Sequence, residues 1–172
     1  MDGKRILPAI TDEMMDGFMR SQIFINEVNS LVIDGVKLGD DCALPNCHSV
    51  VRVASKFFQE FDLVDGFIPI LKSKIQDGKL CDFKISPMHH SWLALKSNSR
   101  FILDIMPIGA VPPFIVPLFL YLDEYSPDYV SGGLPENVSL DEINKDADAM
   151  FKALAKSFGK KIETQNQNQS AP

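Results

Sequence analysis

The sequence predicts an α+β fold, with helices packed on a small antiparallel sheet. Three observations lead there. Two stretches in the first third carry apolar residues at helical spacing behind capping residues, Thr11 to Asn29 and Cys47 to Phe61. Two apolar runs, Met88 to Leu95 and Arg100 to Met106, flank the polar segment Lys96-Ser97-Asn98-Ser99 and form the strongest hairpin signal in the chain. A last amphipathic segment opens at Ser139 with the capping box Ser-Leu-Asp-Glu.

Along the chain, Met14, Phe18, Ile25 and Val28 share one face of the first helix. Leu31 to Leu38 places Asp34-Gly35 between two short apolar runs, a hairpin pattern. Residues 39–46 then read as a loop, and Asn46 caps the second helix. Its buried stripe is Val50, Ala54, Phe57, Phe58 and Phe61. Asp65-Gly66 reads as a turn, and Phe67 to Leu71 as a short strand interrupted by Pro69. Ile143, Ala147, Met150, Phe151 and Leu154 form the apolar face of the last helix, which Gly159 is expected to end. Residues 1–162 are expected to make one domain, and the polar stretch from Glu163 to Pro172 a disordered tail.

Composition excludes more than it assigns. At 172 residues and 45% hydrophobic, the chain can bury a core without disulfides or structural metal. A net charge of −6 offers nothing to nucleic acid or an anionic membrane. The apolar segment Ile108 to Leu122 is short for a membrane span and carries Pro112, Pro113 and Pro117, so it reads as a buried or site-lining loop. Three cysteines, Cys42, Cys47 and Cys81, behind an N-terminus without a secretory pattern fit a reducing, cytoplasmic setting.

One cysteine is placed for chemistry. Cys47 falls in the first turn of a helix, where unpaired backbone N–H groups and the helix dipole favour a thiolate and can hold an oxyanion. A thiolate needs an imidazole partner, and the imidazole needs an orienting group. Hairpin geometry supplies both. With the three-residue loop Ser97 to Ser99, Lys96 pairs with Arg100 and Trp92 faces Asp104, so His90, Trp92 and Asp104 share one face. A two-residue loop would put His89 there instead. His48 follows the cysteine directly and points elsewhere on the helix.

A helix-initiating cysteine, then His90-Ser91-Trp92 on a strand, then Asp104 on the next, resembles the transglutaminase-like, papain-related superfamily. That group includes transglutaminases, peptide N-glycanases and arylamine N-acetyltransferases. The likeness spans roughly Asn46 to Pro107. It implies a papain-like core with the nucleophile at a helix N-terminus, favours His90 over His89, and makes Cys47, His90 and Asp104 a catalytic triad. The family's usual tryptophan-rich setting and the acetyltransferases' arginine-glycine-glycine signature are absent, so neither substrate is implied. Asn46, Gln22 and Trp92 are candidate substrate or oxyanion residues, and Trp92 is also expected to shield the His–Asp pair.

The expected activity is thiol-dependent amide hydrolysis or acyl transfer through an acyl-enzyme, without cofactor. The substrate is a protein, a peptide, a cell-wall fragment or a small amide. Two competing readings are a non-catalytic scaffold keeping the fold and a zinc protein using Cys42, Cys47, His48, His89 and His90. The loose Cys-x4-Cys spacing speaks against zinc.

Overall fold

The structure, a computed structural model, describes residues 9–33, 36–37, 46–76, 79–108, 117–122 and 129–169. The elements in chain order are α1 (Asp12–Ser30), β1 (Val32–Ile33), β2 (Val36–Lys37), α2 (Cys47–Phe57) and β3 (Phe61–Gln76). They continue as β4 (Lys79–Leu95), β5 (Phe101–Asp104), β6 (Leu118–Tyr121), β7 (Val130–Ser131) and α3 (Leu140–Gln169). Strands β3 to β6 form an antiparallel meander, and β7 joins its far edge, giving the order β6-β5-β4-β3-β7. β1 and β2 pair as a separate hairpin at the expected place. The fold is α+β, as the sequence predicts.

Each helix starts where a capping side chain meets an amphipathic run. Thr11 Oγ1 accepts the Met14 N–H, Asn46 Oδ1 accepts the His48 N–H, and Ser139 Oγ accepts the Glu142 N–H. The buried stripes then pack against one face of the sheet. Phe24, Ile25 and Val28 of α1, Val50, Val51, Val53 and Ala54 of α2, and Ala147, Met150 and Leu154 of α3 meet Leu93, Leu95, Phe101 and Leu103. Side chains alternate along a strand, so the residues between these point the other way. Trp92, Ala94 and Ile102 accordingly form a smaller cluster on the opposite face, with Val64, Leu120, Leu122 and Tyr129 against it.

The structure departs from the sequence expectations at several points, β4 among them, which starts at Lys79 and not at Met88. The helix begun at Cys47 ends at Phe57, not Phe61; Phe58 caps it and Phe61 opens β3, still apolar and still buried. Asp65-Gly66 is not a turn but lies inside β3, with Gly66 opposite His90. The strand expected at Phe67 to Leu71 is part of this much longer β3. Pro69 is tolerated because it faces Pro87 of β4, while β7 reaches only Phe67 on the other side. Neither ring is asked to donate a ladder hydrogen bond. Of the apolar loop, residues 109–116 lie outside the described residues, but Leu118–Tyr121 is a strand, with Leu118 opposite Asp104. Finally, α3 does not stop at Gly159 but runs to Gln169, into the expected tail. A glycine inside a helix costs only about 1 kcal/mol, and the lysines, glutamate and glutamines that follow are good helix formers.

Among the described residues, no helix is long and apolar enough to cross a membrane.

Candidate active site

Two local features place Cys47 and its partners. Asn46 turns the chain into α2, so Cys47 is the first helical residue, partly exposed and with a free thiol. The cap takes the His48 N–H at 2.9 Å and the Val50 N–H bonds the Asn46 carbonyl at 3.0 Å, which leaves the Cys47 N–H outside the intrahelical ladder. Across the sheet, Leu93 pairs with Leu103 and Ala94 with Ile102. Continued by one step, this register sets Trp92 level with Asp104, as the three-residue loop requires. His90 therefore lies just past the end of β5, on the open side of β4, and shares a face with Asp104. His89 is exposed and pairs with Phe67.

His90 and Asp104 are 1% and 0% exposed. His90 Nε2 donates to Asp104 Oδ2 at 2.9 Å. The same oxygen accepts the Tyr129 hydroxyl at 2.8 Å, and Oδ1 accepts the Met106 N–H at 3.2 Å. Three donors thus satisfy a carboxylate that water cannot reach. With Nε2 committed to Asp104, Nδ1 is the nitrogen left for Cys47.

Electrostatics follow from this geometry. Burial by itself disfavours a charged imidazole. Hydrogen bonds to Asp104 and Cys47, and the negative charge both can carry, outweigh it and raise His90 to about 9. Burial also pushes the Tyr129 hydroxyl far above its usual range, helped by the charge and hydrogen bond of Asp104, so it remains a donor. Trp92 stacks beside the imidazole with ring centroids 6.3 Å apart, and Tyr129 meets Trp92 edge-on at 5.1 Å. The two aromatic rings pack against each other and beside the buried imidazole.

The remaining expectations divide. Asn46 sits beside Cys47, its Oδ1 used for capping and its amide N–H₂ left as a donor. Gln22 is not brought to this cluster. Arg20 and Phe24, on either side of it in α1, meet Phe57, Phe58 and Glu60 beyond the far end of α2, and the Gln22 side-chain nitrogen is buried without a partner. His48 turns away from His90 and places Nδ1 2.6 Å from Ser91 Oγ. Cys42 lies outside the described residues, and among those described no group of three His, Cys, Asp or Glu side chains could hold a metal.

Two contributors went unforeseen. Tyr129 reaches Asp104 from a segment 25 residues later, and nothing in its neighbourhood signals the pairing of β7 with β3. Gly66 has to be glycine: a Cβ there would stand 2.0 Å from the Val130 carbonyl oxygen and 2.7 Å from Trp92 Cη2. The absent side chain lets β7, and Tyr129 just before it, close over Trp92. The Asp65-Gly66 pair held that signal but resembles a turn.

The arrangement can hold a thiolate at a helix start, move a proton on and off one imidazole nitrogen, and fix the other nitrogen against a buried carboxylate. Comparison with protein-family models, with curated proteins and with solved structures finds no match to this chain.

Proposed function

We propose that the protein is a thiol-dependent amide hydrolase or acyltransferase of the transglutaminase-like, papain-related kind. What supports this reading is Cys47 at the first turn of α2, near enough to help raise His90, and a His90 hydrogen-bonded to the buried Asp104. His90 accepts the Cys47 proton, giving a thiolate–imidazolium pair. The sulfur attacks the carbonyl carbon of an amide or ester, and the Cys47 N–H and the Asn46 amide donate to the developing oxyanion. As the tetrahedral adduct collapses, the imidazolium gives its Nδ1 proton to the leaving amine or alcohol, leaving a thioester on Cys47. Neutral His90 then takes a proton from water or an acceptor amine, whose attack releases the acyl group and restores the thiolate. Asp104 holds Nε2–H throughout and stabilises the imidazolium each time it forms. A free nucleophilic thiol of this kind suits a reducing compartment.

The reading is tested by alkylating the native protein with iodoacetamide at pH 6 and following each cysteine by peptide-resolved mass spectrometry. Cys47 is expected to react at least about tenfold faster than Cys42 and Cys81, and to lose that advantage in His90→Ala. Equal, slow reaction of all three thiols would refute the enzyme and favour a scaffold that has kept the fold.

A further inference from the structure

A second, largely buried polar set joins α2 to the sheet, and two of its members adjoin the nucleophile and the base in sequence. His48 follows Cys47, and Ser91 follows His90. His48 Nδ1 and Ser91 Oγ are 2.6 Å apart, and the Ser91 hydroxyl donates to Asp65 Oδ1. Asp65 stands opposite Ser91 in the β3–β4 register. Arg52, one turn beyond His48, grips Asp65 with two hydrogen bonds, Nη2 to Oδ2 at 2.6 Å and Nη1 to Oδ1 at 3.1 Å. Its Nη1 also returns to the His48 carbonyl at 3.1 Å.

Serine, histidine and aspartate in one buried cluster suggest a hydrolase triad, but the protons run the wrong way. Burial works against charge on Asp65, yet the His48 ring nitrogen 3.8 Å away, hydrogen bonds from Arg52 and Ser91 and the Arg52 charge hold its carboxyl far below the usual range. An ionised carboxylate only accepts. Ser91 therefore directs its one proton to Asp65, and its oxygen accepts from His48 Nδ1–H. A serine nucleophile needs the reverse, with its proton passing to the histidine. Ser91 is also fully buried, closed to any substrate.

What the set can do is hold distance. It ties the residue after the thiol to the residue after the imidazole. The tie is anchored on β3 by a carboxylate that an arginine of α2 itself grips. We propose that His48, Ser91, Asp65 and Arg52 are positioning residues that set the Cys47 sulfur against His90 by locking the first turn of α2 to β4. This rests on the thiol-enzyme reading above. Helix packing alone fixes α2 through its Val50, Val51, Val53 and Ala54 stripe, which begins three residues beyond the sulfur. Misplacement of a reacting group by about 1 Å can cost as much as a hundredfold in rate, so the first turn needs its own constraint.

The test uses the full chain with Cys47 alkylation as readout, in wild type, His48→Ala, His48→Asn and Ser91→Ala. Asparagine keeps an N–H donor where His48 Nδ1 stands; alanine does not. Folded His48→Ala and Ser91→Ala are expected to label Cys47 at least about tenfold more slowly than wild type, and His48→Asn to recover most of the rate. Wild-type labelling rates in folded His48→Ala and Ser91→Ala would overturn the proposal. So would unfolding of all three variants, since the set would then hold the fold rather than the pair. Failure of the underlying enzyme reading is distinguishable: in that case Cys47 of wild type itself has no advantage over Cys42 and Cys81.

Discussion

Replacing Asp104 with asparagine removes one charge while keeping the side chain's volume. Asp104 and Cys47 together raise His90 from 6.5 to about 9 against the opposing effect of burial. At about 1.4 kcal/mol per pH unit, this is roughly 3 kcal/mol of preference for the imidazolium in the folded protein. The sign follows directly. The folded value lies above the unfolded one, so this stabilisation is fully present below about pH 6.5 and is lost as pH rises through about 9. A neighbouring carboxylate accounts for about one to three pH units of such a shift, and Asp104→Asn is expected to lower His90 by roughly two. At pH 8 the imidazolium-to-imidazole ratio then falls from about 10:1 to about 1:10. The direct assay is an NMR titration of the His90 ring nitrogens in labelled protein. Cys47 alkylation at pH 8 should slow in parallel, because less imidazolium faces the sulfur. Denaturant melts between pH 7 and 10 should show a stability loss in wild type that is largely missing in the variant. If His90 of Asp104→Asn titrates where wild type does, with unchanged alkylation, the carboxylate does not govern the imidazole and the relay is refuted.

Three further substitutions probe the parts around that relay. Tyr129→Phe removes the second donor to Asp104 Oδ2 while keeping the ring against Trp92, and should cost about 1 to 2 kcal/mol in a denaturant melt. Gly66→Ala puts a methyl group into the Val130 carbonyl and the Trp92 ring, and is expected to destabilise by about 1 to 3 kcal/mol or more and to change Trp92 fluorescence. An unaltered melt and emission would show that β7 does not close over Trp92. Asn46→Ala removes the α2 cap and should cost about 1 kcal/mol. It should also speed hydrogen exchange at the His48 amide, and protection equal to wild type would refute the cap.

Much of the candidate site was legible in sequence because its signals are short-ranged. Asn46 before Cys47 is a cap, and a cap acts within one helical turn. The polar loop after Lys96 sets a register, and a register carries through a hairpin by the two-residue alternation, so Trp92 opposite Asp104 follows from loop length alone. The same locality explains the wrong boundaries. Phe61 fits the helical stripe of α2 by spacing, and only its place at the start of β3 makes it a strand residue. Asp65-Gly66 and Pro69 look like punctuation in one dimension. In three dimensions β7 presses on the glycine and Pro87 faces the proline.

By itself, then, the sequence determined the α+β class, the helix starts and the Cys47–His90–Asp104 order, each written in contacts a few residues long or in a single hairpin. Only the tertiary structure decided what surrounds them. Tyr129 on Asp104, β7 over Gly66 and the His48–Ser91–Asp65–Arg52 tie join residues 13 to 43 apart in the chain or bring a distant segment to the sheet edge. Such pairings depend on how α2 docks and on which strand closes the sheet, and no local propensity encodes either.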